Sequence, residues 1–204
     1  MKIQIKFLLL LIVVISCTEK QKKEDIALNK EIESVEFSGT FKADLEFGHY
    51  SFAISSRGTG SLRKLEIEAR QSDFKYPKIE AEIDGTIANI KVVDLNQDKY
   101  PELYCFANSA GSGSYGNVYG YIFESDRWIM IQLPELRKKW QRGYMGHDKF
   151  SIKGDRIIRQ FPVYKKGDPN ANPTGGTRRI EYTLIRKGGT YKLRPAKIDL
   201  KKEG

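Results

Sequence analysis

The chain has 204 residues, 35 Lys and Arg against 26 Asp and Glu, and a formal net charge of +9. Two cysteines exclude a disulfide-stapled fold, and basic residues spread along the chain rather than clustered speak for a solvated surface and against a nucleic-acid interface. Setting aside an N-terminal leader and a polar tether leaves about 170 residues, one ordinary domain with enough chain for its own core.

Residues 1–16 read as a signal peptide. Lys2 and Lys6 form a short positive region, and 7–15 is an unbroken apolar run too short to span a membrane. The run ends in Val14-Ile15-Ser16-Cys17, which resembles the bacterial lipobox. That resemblance implies cleavage before Cys17 and lipidation of it, with Thr18 compatible with outer-membrane sorting. Removing the leader takes away two lysines and no acids, leaving +7. Residues 17–33 are dominated by Lys, Glu, Gln and Asp, too polar to offset their ordering entropy, and read as a flexible tether with an optional short helix over 26–32.

Residues 34–204 read as one β domain. Strands are expected at 35–43, 50–55, 62–69 and 87–95, where apolar and polar residues alternate or β-branched residues gather. Further strands are expected at 102–107, 118–123, 128–133, 150–152, 156–164, 179–186 and 191–198. Pro134 opens a short helix over 135–141, since proline suits a first helical turn. Short strands at hairpin spacing predict an all-β, antiparallel, sandwich-like domain with one short helix. Cys105, within Leu103-Tyr104-Cys105-Phe106-Ala107, reads as a buried, inert thiol.

Between strands 102–107 and 118–123 lies Asn108-Ser109-Ala110-Gly111-Ser112-Gly113-Ser114-Tyr115-Gly116-Asn117. Gly111, Gly113 and Gly116 have the spacing of a dinucleotide fingerprint, but that fingerprint needs a helix after it and a strand follows here. The stretch is instead a slim loop presenting serines and a tyrosine to a partner.

Other chemistry is weaker. Asp94, Asn96, Asp98 and Glu102 have the alternating oxygens of a calcium loop, yet Lys99 holds the EF-hand glycine position and Cys105 its final glutamate position. An Asx-stabilised turn without metal is the expectation. His49 and His147 lack the neighbours of a zinc site. A Ser112, His147, Asp148 triad lacks the nucleophile elbow, because Ala110 stands where its first glycine belongs. No catalytic residue, cofactor or metal is expected. The turn-rich loop 165–176 has no role assigned from sequence.

Four ordered blocks carry a resemblance. They are Ser112-Gly113-Ser114-Tyr115, an SGxY motif; Gly143-Tyr144-Met145-Gly146-His147-Asp148; Arg159-Gln160-Phe161-Pro162-Val163-Tyr164; and the run from Gly167 to Gly176. Over roughly residues 87–186 the chain resembles the periplasmic inhibitors of invertebrate-type (I-type) lysozymes. The resemblance implies a sandwich-like domain whose SGxY loop enters the lysozyme active-site cleft, with Ser112, Gly113, Ser114 and Tyr115 as the lysozyme-binding residues and Ser112 and Tyr115 as the important contacts. It also implies a homodimer, no enzymatic activity and a place in the envelope, here lipid-anchored, at the outer membrane facing the periplasm or the surface. A related motif occurs in inhibitors of chicken-type lysozyme. The rival readings are a peptidoglycan-binding module, favoured by eleven tyrosines and a basic surface, and a hydrolase using Ser112 or the acids near Asp94.

Overall fold

The structure is a computed structural model that describes residues 40–201. The signal peptide, Cys17, the tether and the first residues of the expected strand at 35–43 lie outside the described residues.

Alternating side chains build the first sheet. β1 (Thr40–Phe47), β2 (Tyr50–Arg57) and β3 (Leu62–Gln71) pair in sequence, and β3 also pairs with β4 (Phe74–Lys75) and β5 (Ile79–Asp84). Tyr50, Phe52 and Ile54 of β2 point inward with Leu65, Ile67 and Ala69 of β3, as the two-residue period of a strand requires. Ile54 sits directly opposite Ile67, which fixes the register by burial.

The second sheet has eight strands. β6 (Thr86–Val93), β7 (Glu102–Asn108), β8 (Gly116–Glu124) and β9 (Arg127–Gln132) form one meander. β10 (Lys149–Lys153), β11 (Arg156–Pro162), β12 (Thr177–Lys187) and β13 (Thr190–Lys201) form another. The two meanders join where β13 runs parallel to β9, pairing Tyr191 with Ile131 and Lys192 with Gln132.

Two cores result. Ile90, Leu103, Cys105, Tyr121 and Phe123 pack against the inner face of the first sheet, which makes the sandwich. The opposite faces of β7 and β8, with Tyr104, Phe106 and Ile122, pack against Ile157, Phe161, Ile180 and Tyr182 of the second meander. β7 is therefore buried on both faces, which is why its sequence is a continuous apolar run rather than an alternating one. Cys105 is fully buried, and burial pushes its thiol up to about 12, so it is inert as expected.

The all-β expectation holds, with differences of detail. The helix expected over 135–141 is only a 3-10 turn at Lys138–Trp140, because Arg137 before it is extended (φ −61°, ψ 143°). The β13–β9 pairing is parallel. β4 and β5 were not anticipated. β5 reads Ile-Glu-Ala-Glu-Ile-Asp, and its pairing with β3, from Ile67 opposite Ile79 to Leu62 opposite Asp84, skips over β4 and is not carried by local pattern.

Candidate functional site

The loop 109–115 joins β7 to β8 and is closed at its base by backbone. Asn108 pairs with Gly116 in the ladder, the Ser109 N–H donates to the Tyr115 carbonyl (2.8 Å), and the Tyr115 N–H donates to Ser109 Oγ (3.0 Å). Within it the Ser114 N–H donates to the Gly111 carbonyl at 3.2 Å, a β-turn that puts Ser112 and Gly113 at its centre. Ser112 is exposed there, while Gly113 and Ser114 are half-buried. Tyr115 is 49% exposed, a large aromatic held at the surface.

The segment 143–148 supports the loop from beneath. The His147 N–H donates to the Gly113 carbonyl at 2.6 Å. Gly146 lies so close to the same carbonyl that a Cβ there would sit 1.9 Å from the Gly113 oxygen, and its φ of +89° is one that glycine alone adopts readily. Gly113 in turn leaves room for the Tyr115 ring, since a Cβ on it would stand 2.5 Å from Tyr115 Cε2. The Tyr115 ring meets Tyr144 edge to face, with centroids 5.5 Å apart.

Below these contacts is a buried polar cluster. Asp148 and Arg159 are 3% and 5% exposed. Arg159 Nε donates to Asp148 Oδ1 (2.7 Å), and Arg159 Nη2 donates to the Tyr144 hydroxyl (2.8 Å), which itself donates to Asp148 Oδ2. Asp148 Oδ2 also accepts the Gly116 N–H at 2.8 Å, so the cluster holds the point where the loop re-enters β8. Burial opposes the Arg159 charge, but the hydrogen bond and charge of Asp148 outweigh it and hold the guanidinium above its ordinary pKa. Burial, then the bond to Asp148, raises the Tyr144 hydroxyl well above the usual tyrosine range. Tyr144 is thus a neutral donor at any physiological pH.

The loop 165–176 reaches the site from the side. Asn170 Nδ2 donates to the Ser112 carbonyl (3.2 Å), and Asn170 Oδ1 lies 3.2 Å from His147 Nε2. The Tyr164 hydroxyl donates to the Asn170 carbonyl at 2.9 Å. Asp168 shapes this loop by accepting the Thr174 and Lys165 N–H groups, each at 2.7 Å, and these bonds hold its carboxyl below its ordinary value. Beside Tyr115 a shallow groove of about 560 Å³ runs past Asn117, Leu133, Glu135, Tyr144 and Arg159.

The structure brings Ser112, Gly113, Ser114 and Tyr115 together on one hydrogen-bonded tip. It does not assemble a triad: both Asp148 oxygens are engaged by Arg159, Tyr144 and Gly116, and the His147 ring faces Asn170. The supporting roles of Tyr144, Asp148, Arg159 and Asn170 were not anticipated. Arg159 carried a signal, because it shares a face of β11 with Ile157 and Phe161, and an arginine at a core-facing position calls for a buried acid.

A sandwich that braces one polar loop from three directions is the class of structure that fold and site define. Residues 48–137 match the model of the family described as periplasmic lysozyme inhibitor of I-type lysozyme. The match spans less than half of the chain and contains one of the four blocks, Ser112-Gly113-Ser114-Tyr115, and to that extent it supports a lysozyme-inhibitor role. It begins earlier than the blocks suggested and ends before 143, so it contains the SGxY loop but not the segments that brace it. No curated protein matches the chain.

Proposed function

We propose that this protein inhibits I-type lysozyme by inserting the Ser112-Gly113-Ser114-Tyr115 tip into the active-site cleft, shielding bacterial peptidoglycan. The observation that carries the reading is the exposed tip on a fixed base. Binding then orders little further chain, and less interaction energy is lost to entropy. Glycosidases flank the scissile bond with two carboxylic groups. The Ser112 hydroxyl can donate to such a carboxylate as a sugar hydroxyl would. Tyr115 supplies a rigid aromatic body with a polar end, the kind of residue that dominates interface energetics. No covalent step is involved, and the protein acts as a plug rather than an enzyme.

The mature chain is proposed to begin at a lipidated Cys17, with 17–33 as the tether that lets the domain 34–204 stand off the membrane, at the outer membrane facing the periplasm or the surface. Mass spectrometry of the mature N-terminus tests this: an acylated cysteine is expected, and an unmodified N-terminus contradicts it.

The functional test is lysis of a cell-wall suspension by I-type, chicken-type and goose-type lysozymes, with and without the protein. Stoichiometric protection from the I-type enzyme is expected, lost in a Ser112→Ala, Tyr115→Ala double variant. Protection from another type instead would change the target. Binding to cell wall without protection from any lysozyme would overturn inhibition in favour of a peptidoglycan-binding module.

A further inference from the structure

The turn between β6 and β7 gathers three carboxylates. One oxygen each from Asp94, Asp98 and Glu102 lies within 4.8 Å of the others. Gln97 and Lys99 adopt positive φ, 59° and 72°, and so wind the chain around its own side chains. Asp94 accepts the N–H groups of Asp98 (3.1 Å) and Lys99 (2.9 Å), and Asp98 accepts that of Tyr100 (2.9 Å). These bonds alone describe an Asx-stabilised turn, the reading the sequence favours.

Glu102 does not fit that reading. It opens β7, is 0% exposed, and turns its side chain back into the loop, where Oε2 accepts the Leu95 N–H at 2.7 Å. Its other oxygen, Oε1, is buried and has no hydrogen-bond partner among the described residues. Among the described residues other than Arg63, no lysine or arginine is ion-paired with Asp94, Asp98 or Glu102. Burial raises the Glu102 carboxyl to about 8, and a proton on Oε1 would remove its charge but leave a buried O–H with no hydrogen-bond partner among the described residues. A buried carboxyl oxygen beside two further carboxylates is costly in either protonation state, and a cation satisfies it in both charge and coordination.

We propose that Asp94, Asp98 and Glu102 form a calcium site that staples the β6–β7 turn. Hard oxygen donors with no nitrogen or sulfur suit an alkaline-earth ion. Calcium accepts six to eight oxygens in a flexible shell that a turn of carboxylates and carbonyls can supply, whereas magnesium demands a near-ideal octahedron and keeps most of its waters. The two departures from the EF-hand pattern lose their force here. Lys99 already takes the left-handed conformation that the glycine would supply. No glutamate is needed at position 105, because Glu102, three residues earlier, folds back to face the two aspartates.

The test uses the full-length protein in detergent, stripped with a chelator and titrated with calcium chloride by calorimetry, with thermal unfolding in calcium, magnesium or chelator. One calcium ion per chain and a higher Tm in calcium than in chelator or magnesium are expected. Asp98→Asn is expected to weaken calcium binding by about tenfold or more, as ligand charge falls. Glu102→Gln is expected to match or exceed the parent's Tm in chelator and to gain nothing from calcium, a result that loss of folding could not produce. No binding and no Tm shift at millimolar calcium would overturn the proposal. An Asp98→Asn variant that responds like the parent would do so too, and an equal response to magnesium would overturn the assignment to calcium.

Discussion

Asp148 lies under the loop with both oxygens engaged, and its partner Arg159 is nearly as buried. Two charges taken out of water are tolerable as a pair and severe as a single. Asp148→Ala strands the guanidinium and frees the Gly116 N–H together. It is expected to cost about 3–5 kcal/mol of stability, read as a lower midpoint in urea unfolding. A loss below about 1 kcal/mol, the range of an exposed ion pair, would contradict the assigned role. At this scale the sequence was partly legible. Ser112 and Tyr115 stand out as a serine among glycines and an aromatic closing a polar run, and the structure exposes both. Asp148 did not stand out, because its meaning depends on Arg159, eleven residues away, and on Gly116, at the start of β8.

The elements divide between a scaffold and its attachments. The strands are legible where burial on one face imposes alternation, as in β2 and β3, or where burial on both faces gives an apolar run, as in β7. What local pattern cannot carry is which loops meet. Loops 109–115, 143–148 and 165–176 are far apart in sequence yet share hydrogen bonds through Gly113, His147, Asn170 and Ser112. Asn170→Ala removes the bond to the Ser112 carbonyl without touching the core. It is expected to weaken inhibition by about 0.5–1.5 kcal/mol, or roughly two- to tenfold in the inhibition constant, with Tm nearly unchanged. Gly146→Ala is the sharper probe, since its Cβ would drive the Gly113 carbonyl away. It should weaken inhibition more than Asn170→Ala does, and inhibition equal to the parent's would contradict the bracing role of 143–148.

For the molecule as a whole, the family match covers 48–137, which includes the tip, while the braces come from the second meander and its loops beyond that match. Under the proposed function, recognition and support fall to different parts of one domain, joined through the shared second core. The positive charge gives no general attraction to a cationic lysozyme, so the proposed inhibition predicts affinity from the fit of the tip rather than from long-range steering. The most direct measurement is competition. I-type lysozyme is titrated with the protein in the presence of increasing amounts of a chitin oligosaccharide that occupies the active-site cleft. A tip that fills the cleft predicts mutually exclusive binding, with the apparent dissociation constant rising in proportion to saccharide. Simultaneous binding of saccharide and protein, with the dissociation constant unchanged, would contradict insertion of Ser112 and Tyr115 into the cleft.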